Sequence, residues 1–283
     1  MNAKLSHLTT RWAIIGSIAL ATPWFVSRSR PPAGAPTENA RVPAFLIGEV
    51  LNYRVDWQRY AGAGTAQLQV VDRGNFYGSQ MWHFRAAVHT AEPVRALYAM
   101  DDQIDSYAQF AGLETSQYQE HFREFGKPQD TDVALTSPGE MSNARAPHVI
   151  VPLGTHDPVS AIYSLRATDW LQTPELRLPV YDGQDVFEMV AKRGERTEVQ
   201  IAAGVYTAME IDIRLFDQDH EIPDEQFKVW LADDARQTPI LCTADLPIGL
   251  LRIELTSRRD AADQTPAGKI PIPPGGSSPP AGN

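Results

Sequence analysis

The chain has 283 residues and a formal net charge of −10, with 25 basic and 35 acidic side chains. Nucleic-acid binding depends on clustered Lys and Arg, and no basic stripe is visible here, which argues against a nucleic-acid partner. The single cysteine, Cys242, excludes an internal disulfide and a cysteine-based zinc site. Its apolar neighbours indicate a small core residue and not a nucleophile.

The N-terminal segment, residues 1–26, predicts export. Lys4 and Arg11 lead into an apolar run over 12–26, which is shorter than the roughly 20 residues needed to span a bilayer. Ala19-Leu20-Ala21 has the small-x-small pattern that signal peptidase accepts and predicts cleavage near Ala21. The apolar residues after this site favour a competing interpretation, an uncleaved anchor that tethers the protein to the inner membrane. Either interpretation predicts an exported, periplasmic protein that meets a membrane only through this segment.

Composition divides the rest of the chain into three parts. Residues 27–42 are rich in Pro, Ala, Gly and Arg and predict a flexible linker. Residues 260–283 contain six prolines among Gly and Ser and predict a disordered tail. The intervening residues 43–259 are numerous enough to form one domain with a substantial core.

Alternation of apolar and polar residues recurs through this domain and predicts strands. It is clearest at 51–57, 66–70, 82–88, 209–215, 227–231 and 251–255, and weaker at 104–110, 115–123, 131–135, 176–180, 185–192 and 197–201. Glycines predict turns at 61–64 and 74–78. About a dozen strands with one polar face favour a strongly curved antiparallel sheet or an open β-barrel.

Two short helices interrupt the strands, so the predicted class is all-β with two short helices. The first covers 92–98. The second begins at Asp157-Pro158, an N-cap followed by proline at the first helical position, and ends near Arg166. Arg166 either complements the helix dipole at that end or pairs with a buried acid such as Glu49.

Three segments share a spacing with a known family. They are Phe45-x-x-Gly48-Glu49-x-Leu51-x-Tyr53-x-Val55-x-Trp57, Asp157-Pro158-x-Ser160-x-x-Tyr163-x-Leu165-Arg166, and Val229-Trp230-Leu231-x-Asp233-Asp234-x-Arg236-x-x-Pro239. Over about 45–255 the chain resembles domain-of-unknown-function family 3108, a set of bacterial exported proteins. The resemblance implies a curved antiparallel sheet broadly similar to periplasmic carriers of lipids or lipoproteins, and no established activity. It singles out seven residues of unknown role: Gly48, Glu49, Asp157, Tyr163, Arg166, Trp230 and Asp234.

The carboxylates raise the question of an enzyme. A hydrolase acting on envelope polysaccharide, with Asp101, Asp105 or Asp234 as acid, would need two carboxylates in one cleft. The Asp233-Asp234 pair is more typical of a turn between strands. The acidic loop at 217–225 lacks the glycine that a calcium-binding loop of the EF-hand type requires, the histidines are scattered, and no serine-nucleophile motif is present. The sequence therefore predicts no catalytic residues, no metal and no cofactor.

The predicted inner face is rich in large apolar side chains. Tyr53, Trp57, Leu68, Trp82 and Phe84 fall on it. They form either a packed core or the lining of an apolar cavity. We therefore expect a non-enzymatic envelope protein that binds an apolar ligand (a lipid or a lipoprotein chain) or an envelope partner. The polysaccharide hydrolase and a purely structural periplasmic scaffold are the alternatives.

Overall fold

The computed structural model describes residues 44–139 and 146–260. The predicted signal segment, the linker and all of the tail after Asp260 lie outside the described residues. The described strands are β1 (Val50–Trp57), β2 (Tyr60–Phe76), β3 (Ser79–Thr90), β4 (Asp101–Gln109), β5 (Thr115–Glu124), β6 (Lys127–Thr136), β7 (His148–Ile150), β8 (Glu175–Tyr181), β9 (Val186–Ile201), β10 (Gly204–Asp217), β11 (His220–Ala232), β12 (Pro239–Leu246) and β13 (Gly249–Arg259). The described helices are α1 (Val94–Leu97), before β4, and α2 (Pro158–Ala167), before β8.

All thirteen of these strands belong to one sheet, in the order β7-β6-β5-β4-β3-β2-β1-β13-β12-β11-β10-β9-β8. Every pairing is antiparallel except that of β6 with β7. The first and last strands meet at the middle of the sheet, with Val50 opposite Arg259 and Trp57 opposite Leu251. This architecture confirms the predicted all-β class and the strongly curved antiparallel sheet.

The sheet curls without closing, and a short segment lies between its two halves. The amide of Thr115 on β5 donates to the carbonyl of Thr155 at 3.0 Å. The amide of the next residue, His156, donates to the carbonyl of Pro179 on β8. The carbonyl of His156 accepts from the amide of Tyr181, and both distances are 2.8 Å. Two residues therefore connect β5 to β8 across the open side of the sheet.

Some predicted boundaries are wrong for a structural reason. The predicted turn at 61–64 lies inside β2, and the chain turns instead at Gln58 and Arg59. Gly64 lies opposite Val55 and Thr90, and a Cβ at this position would lie 2.5 Å from the carbonyl oxygen of His89. The glycine permits a close approach of two strands, which sequence alone reads as a turn.

Helix α2 packs inside the curve of the sheet and separates two parts of the core. On one side the ring of Tyr163 stacks on Phe84, with centroids 3.9 Å apart, and meets the edge of Phe45 at 5.0 Å. On the other side Ala161 and Leu165 pack with residues of β8 to β11. Within the described residues, neither helix has the length and hydrophobicity to span a membrane.

Candidate functional site

An apolar cavity of about 350 Å³ lies between the inner face of the sheet and α2. Its walls include Val55 of β1, Leu68 of β2, Val88 of β3 and Ile162 of α2. These side chains point inward and yet remain only half-buried, because they border empty space where a packed core would cover them. An apolar cavity of this size suits a small apolar ligand.

The N-terminus of α2 is fixed by a buried carboxylate. Oδ1 of Asp157 accepts from the amides of Val159 and Ser160 at 2.7 and 3.0 Å, and its Oδ2 accepts from the hydroxyl of Thr115 at 2.7 Å. The hydroxyl of Ser106 donates to the same Oδ2. Burial raises the pKa of Asp157, and these four hydrogen bonds oppose that rise. The N-cap thus joins the helix to β4 and β5.

The C-terminus of α2 is fixed by a buried ion pair. Two guanidinium nitrogens of Arg166 lie 2.6 and 3.1 Å from the two carboxylate oxygens of Glu49, and both side chains are fully buried. Arg166 also donates to the carbonyl of Ala44 at 3.0 Å. Of the two interpretations left open by the sequence, the pairing with Glu49 is the observed one.

The family-motif residues mostly serve this anchoring. Gly48 has a φ of 81° and donates its amide to the carbonyl of Val70 at 2.8 Å, which turns the chain so that Glu49 enters the core. Tyr163 stacks inside the core. Asp234 lies in the turn after β11, where its Oδ1 accepts from the amide of Arg236 at 2.8 Å.

The same turn touches the helix. The side chain of Gln237 donates to the carbonyls of Arg166 and Thr168 at 2.6 and 2.9 Å. Trp230 is the exception among the motif residues: it lies half-buried on β11, opposite Glu210 and Leu241, away from α2. Most residues of the family motif therefore hold α2, which forms one wall of the cavity, in place.

The five predicted lining residues fall into two groups. Tyr53, Trp57 and Leu68 line the cavity. Trp82 and Phe84 lie outside the lining and pack in the core around Phe45. The alternation of apolar and polar residues correctly predicted that these five side chains lie on the inner face of the sheet. It could not predict which part of that face α2 covers.

The two aromatic residues that were predicted to line the cavity and do so, Tyr53 and Trp57, have their polar atoms satisfied. The hydroxyl of Tyr53 donates to the carbonyl of Pro239 at 2.9 Å, and burial raises its pKa. The indole nitrogen of Trp57 donates to the carbonyl of Ile248, also at 2.9 Å. Both rings therefore present apolar surface to the cavity in a fixed orientation.

Cys242 also lines the cavity and is half-buried. Burial raises the pKa of its thiol to about 12. At neutral pH the group is a neutral thiol, which suits the predicted role as a small apolar residue better than that of a nucleophile.

The three carboxylates considered for catalysis do not share a cleft. Asp101 and Asp105 lie four residues apart on the outer face of β4, about 13 Å along the strand. Asp234 lies in a turn between β11 and β12. Hydrogen bonds from Arg95 lower the pKa of Asp101 to about 2.

Asp105 is held in its charged form as well. Burial opposes its ionisation, but hydrogen bonds from His83, Arg85 and Gln103 lower its pKa overall. A general acid needs a raised pKa, so neither residue of β4 is suited to that role at neutral pH. Across residues 44–139 and 146–260, no three His, Cys, Asp or Glu side chains gather as ligands for a metal ion.

An acidic group near the cavity was not predicted. Asp102 is buried, and burial together with the charges of Glu124, Asp101 and Glu120 raises its pKa to about 7, against the hydrogen bond that it accepts from the amide of Arg123. Asp182, in the turn after β8, lines the cavity directly. The sequence did contain a signal for Asp102: it shares the inward face of β4 with Ile104 and Ser106, where an acidic residue is unusual.

Comparison with solved structures finds one protein with a similar fold and two with weaker similarity. The chain is similar to a β-barrel-like protein of domain of unknown function DUF1849 from Brucella abortus, with 12% identity, a TM-score of 0.51, and coverage of 75% of this chain and 97% of that one. A candidate lipoprotein of Parabacteroides distasonis has 9% identity and a TM-score of 0.38, over 78% of this chain and 100% of that one. A candidate exported protein with a YmcC-like fold from Bacteroides fragilis has 9% identity and a TM-score of 0.34, over 76% and 97%.

No curated protein matches the sequence. A family model described as a protein of unknown function (DUF3108) matches residues 52–256. Because this match covers well over half of the chain, the protein belongs to the DUF3108 family.

Proposed function

We propose that this protein is a non-enzymatic, exported envelope protein that binds one alkyl or acyl chain in the cavity between its sheet and α2. The observation that carries the proposal is the cavity itself, a void of about 350 Å³ with an almost wholly apolar lining. Such a void is costly to leave empty, because its lining lacks contacts on one side. Occupation by hydrocarbon restores those contacts.

The way in which α2 is held also supports a binding role. A helix that served only to fill the sheet would be free to collapse onto it, yet both ends of α2 are fixed by buried polar groups, Asp157 and Arg166. These anchors keep Ile162 and Leu165 at a set distance from the facing strands. The cavity is therefore bordered by a helix whose two ends are held by specific interactions, which supports a binding role.

Export is the part of the proposal that rests on sequence. Lys4, Arg11 and the apolar run at 12–26 have the order of an export signal. Such a location would bring the cavity close to membrane lipids and acylated proteins. The lipid or lipoprotein chain expected from the sequence is the ligand that we propose.

A chain-length series tests the cavity. Linear alcohols with eight, ten, twelve and fourteen carbons are titrated into delipidated protein against a neutral apolar dye. Each methylene moved from water to the cavity contributes about 0.8 kcal/mol, so affinity should rise about fourfold per carbon and then level off when the cavity is full. No displacement at any length, from a folded protein, would overturn the proposal.

Two matched substitutions locate the site. Ile162→Trp places a large ring in the cavity and should abolish binding, whereas Ile150→Trp makes the same change at a residue that is 73% exposed on β7 and should leave binding unchanged. Equal effects of the two would place the ligand elsewhere. Native mass spectrometry of protein purified from its own host's envelope then identifies the bound chain, and a mass without any adduct would favour the scaffold interpretation.

A further inference from the structure

The charge of the protein is concentrated at one end of the curved sheet. Six turn segments lie there, because each joins two neighbouring antiparallel strands and every second turn along the chain falls at the same end of the sheet. These turns, called the cavity-end turns below, comprise residues 56–59, 91–101, 124–127, 182–185, 217–221 and 245–249. They carry ten acidic and three basic side chains, which accounts for most of the formal net charge of −10.

The cavity extends to this end. Trp57, Thr90, Tyr98, Asp182 and Ile248 line it and lie in or beside the cavity-end turns. A charged head attached to a chain inside the cavity would therefore lie among these turns. Its sign of charge decides whether the surroundings attract or repel it.

Two acids of the cavity-end turns are paired with cations, Asp56 with Arg54 and Asp101 with Arg95, but the cavity lining adds no further cation. The lining described here includes no Lys or Arg, and its one basic residue, His89, is bonded through Nδ1 to Asp101 at 3.0 Å. Asp182 is one of the lining residues, and Asp102, Glu120 and Glu124 lie close to it. Low-dielectric walls focus such a field into the cavity.

Aromatic rings lie at the same end of the cavity. The ring of Trp57 is fixed by its hydrogen bond to Ile248 and lies 6.2 Å from that of Tyr60. The ring centroid of Tyr98 lies 4.9 Å from that of Phe125. The faces of such rings attract cations and are indifferent or unfavourable to anions.

We propose that the cavity selects amphiphiles with a cationic head, such as a primary amine, over anionic ones with the same alkyl chain. This inference rests on the proposed function, because it assumes that the alkyl chain occupies the cavity. It adds the chemical class of the head group. The carboxylates of the cavity-end turns supply the attraction, and the apolar lining supplies the rest of the affinity.

The test compares three ligands of equal length: dodecylamine, dodecan-1-ol and dodecanoate, each below its micelle concentration at pH 7.5. The amine should bind at least tenfold more tightly than dodecanoate, with the alcohol between them, and the difference should shrink in 0.5 M salt. Equal or tighter binding of dodecanoate would overturn the inference while leaving the cavity as the site. Binding of none of the three would instead overturn the proposed function.

A matched pair of substitutions assigns the effect to the cavity end. In Asp182 and in Asp234 alike, Oδ1 accepts from a backbone amide two residues later, at 2.8 Å, so Asn can keep the turn in both. Asp182→Asn should weaken binding of the amine three- to tenfold and leave the alcohol unchanged. Asp234→Asn, in the turn after β11 at the opposite end, should change neither. An amine affinity that is unchanged in Asp182→Asn would contradict the assigned role of this carboxylate.

Discussion

Glu49 and Arg166 are 117 residues apart in the chain and form a bidentate ion pair with no exposure to solvent. Two buried charges are stable only when they are paired and hydrogen-bonded, and here the carbonyl of Ala44 accepts a further hydrogen bond from Arg166. The pair connects the start of β1 to the end of α2. It thereby joins the first strand of the sheet to the helix that forms the cavity wall.

Removing either partner of this pair should strongly destabilise the protein. Arg166→Met leaves the carboxylate of Glu49 buried, with Arg258 at 3.6 Å as its nearest remaining cation, and should lower the free energy of unfolding by about 3–5 kcal/mol. Urea denaturation measures the change. The double variant Glu49→Gln/Arg166→Met should recover part of the loss, because no charge stays buried. A single substitution costing less than 1 kcal/mol would show that the pair is not important for stability.

Asp157 should be needed for the position of α2. Asp157→Ala removes the N-cap and leaves the hydroxyls of Ser106 and Thr115 without their acceptor, so we expect a loss of about 2–4 kcal/mol. Asp157→Asn keeps an acceptor for the helix amides and should lose less. Thermal unfolding of the two variants gives the order. The same loss in both would mean that the negative charge, and not the cap, is what matters.

Stability should fall as pH rises because of Asp102. Its pKa is about 7 in the folded protein, against a value near 4 in an unfolded chain. Below pH 4 both states hold the proton and the stabilisation is complete. Between pH 4 and 7 the unfolded chain releases its proton first, so the free energy of unfolding decreases, and above pH 7 it stays low.

Asp102→Asn should therefore stabilise the protein by roughly 1–3 kcal/mol at pH 8 and by much less at pH 5. Its amide oxygen can still accept from the amide of Arg123. Asp130→Asn is the control, because hydrogen bonds from Arg123 and His121 lower the pKa of that exposed carboxylate. A gain that is independent of pH would contradict the assignment to Asp102.

Cys242 should be an internal reporter of ligand binding. With a thiol pKa of about 12, its alkylation by iodoacetamide at pH 8 should be slower by about 100-fold or more than in the urea-unfolded chain. A bound alkyl chain should slow it further, since the thiol lines the cavity. Mass spectrometry follows the single adduct. Rapid alkylation in the ligand-free folded protein would contradict the burial of the thiol, and no protection by a bound alcohol would mean that the chain does not bind in the cavity.

The strands were the most predictable part of this molecule. The alternation at 51–57 and 209–215 depends on one face being buried along the whole strand, and β1 and β10 lie where it predicted. The alternation did not predict β12, which contains Cys242, or β7, because apolar and polar residues do not alternate in these two strands. The segments predicted at 185–192 and 197–201 form one strand, β9. The polar residues between them also pair with β10, so the strand is not interrupted.

The site was predictable only in its chemistry. Aromatic residues on an inner face indicated an apolar interior, but the division into core and cavity depends on where α2 packs. That position is set by contacts over long sequence separations, such as Ser106 with Asp157 and Glu49 with Arg166. A local pattern contains no information about such partners.

The pairing of β1 with β13 has a consequence for folding. Each half of the sheet, β1 to β7 and β8 to β13, consists mostly of hairpins between neighbouring strands, which can form early. The contact of Val50 with Arg259 closes a loop of nearly the whole domain and must await the last strand. A circular permutant that links Asp260 to Ala44 through a short linker, and so keeps Glu49, and that begins between β7 and α2 would place every paired strand next to its neighbour in the chain. It should fold faster than the natural order while reaching the same structure.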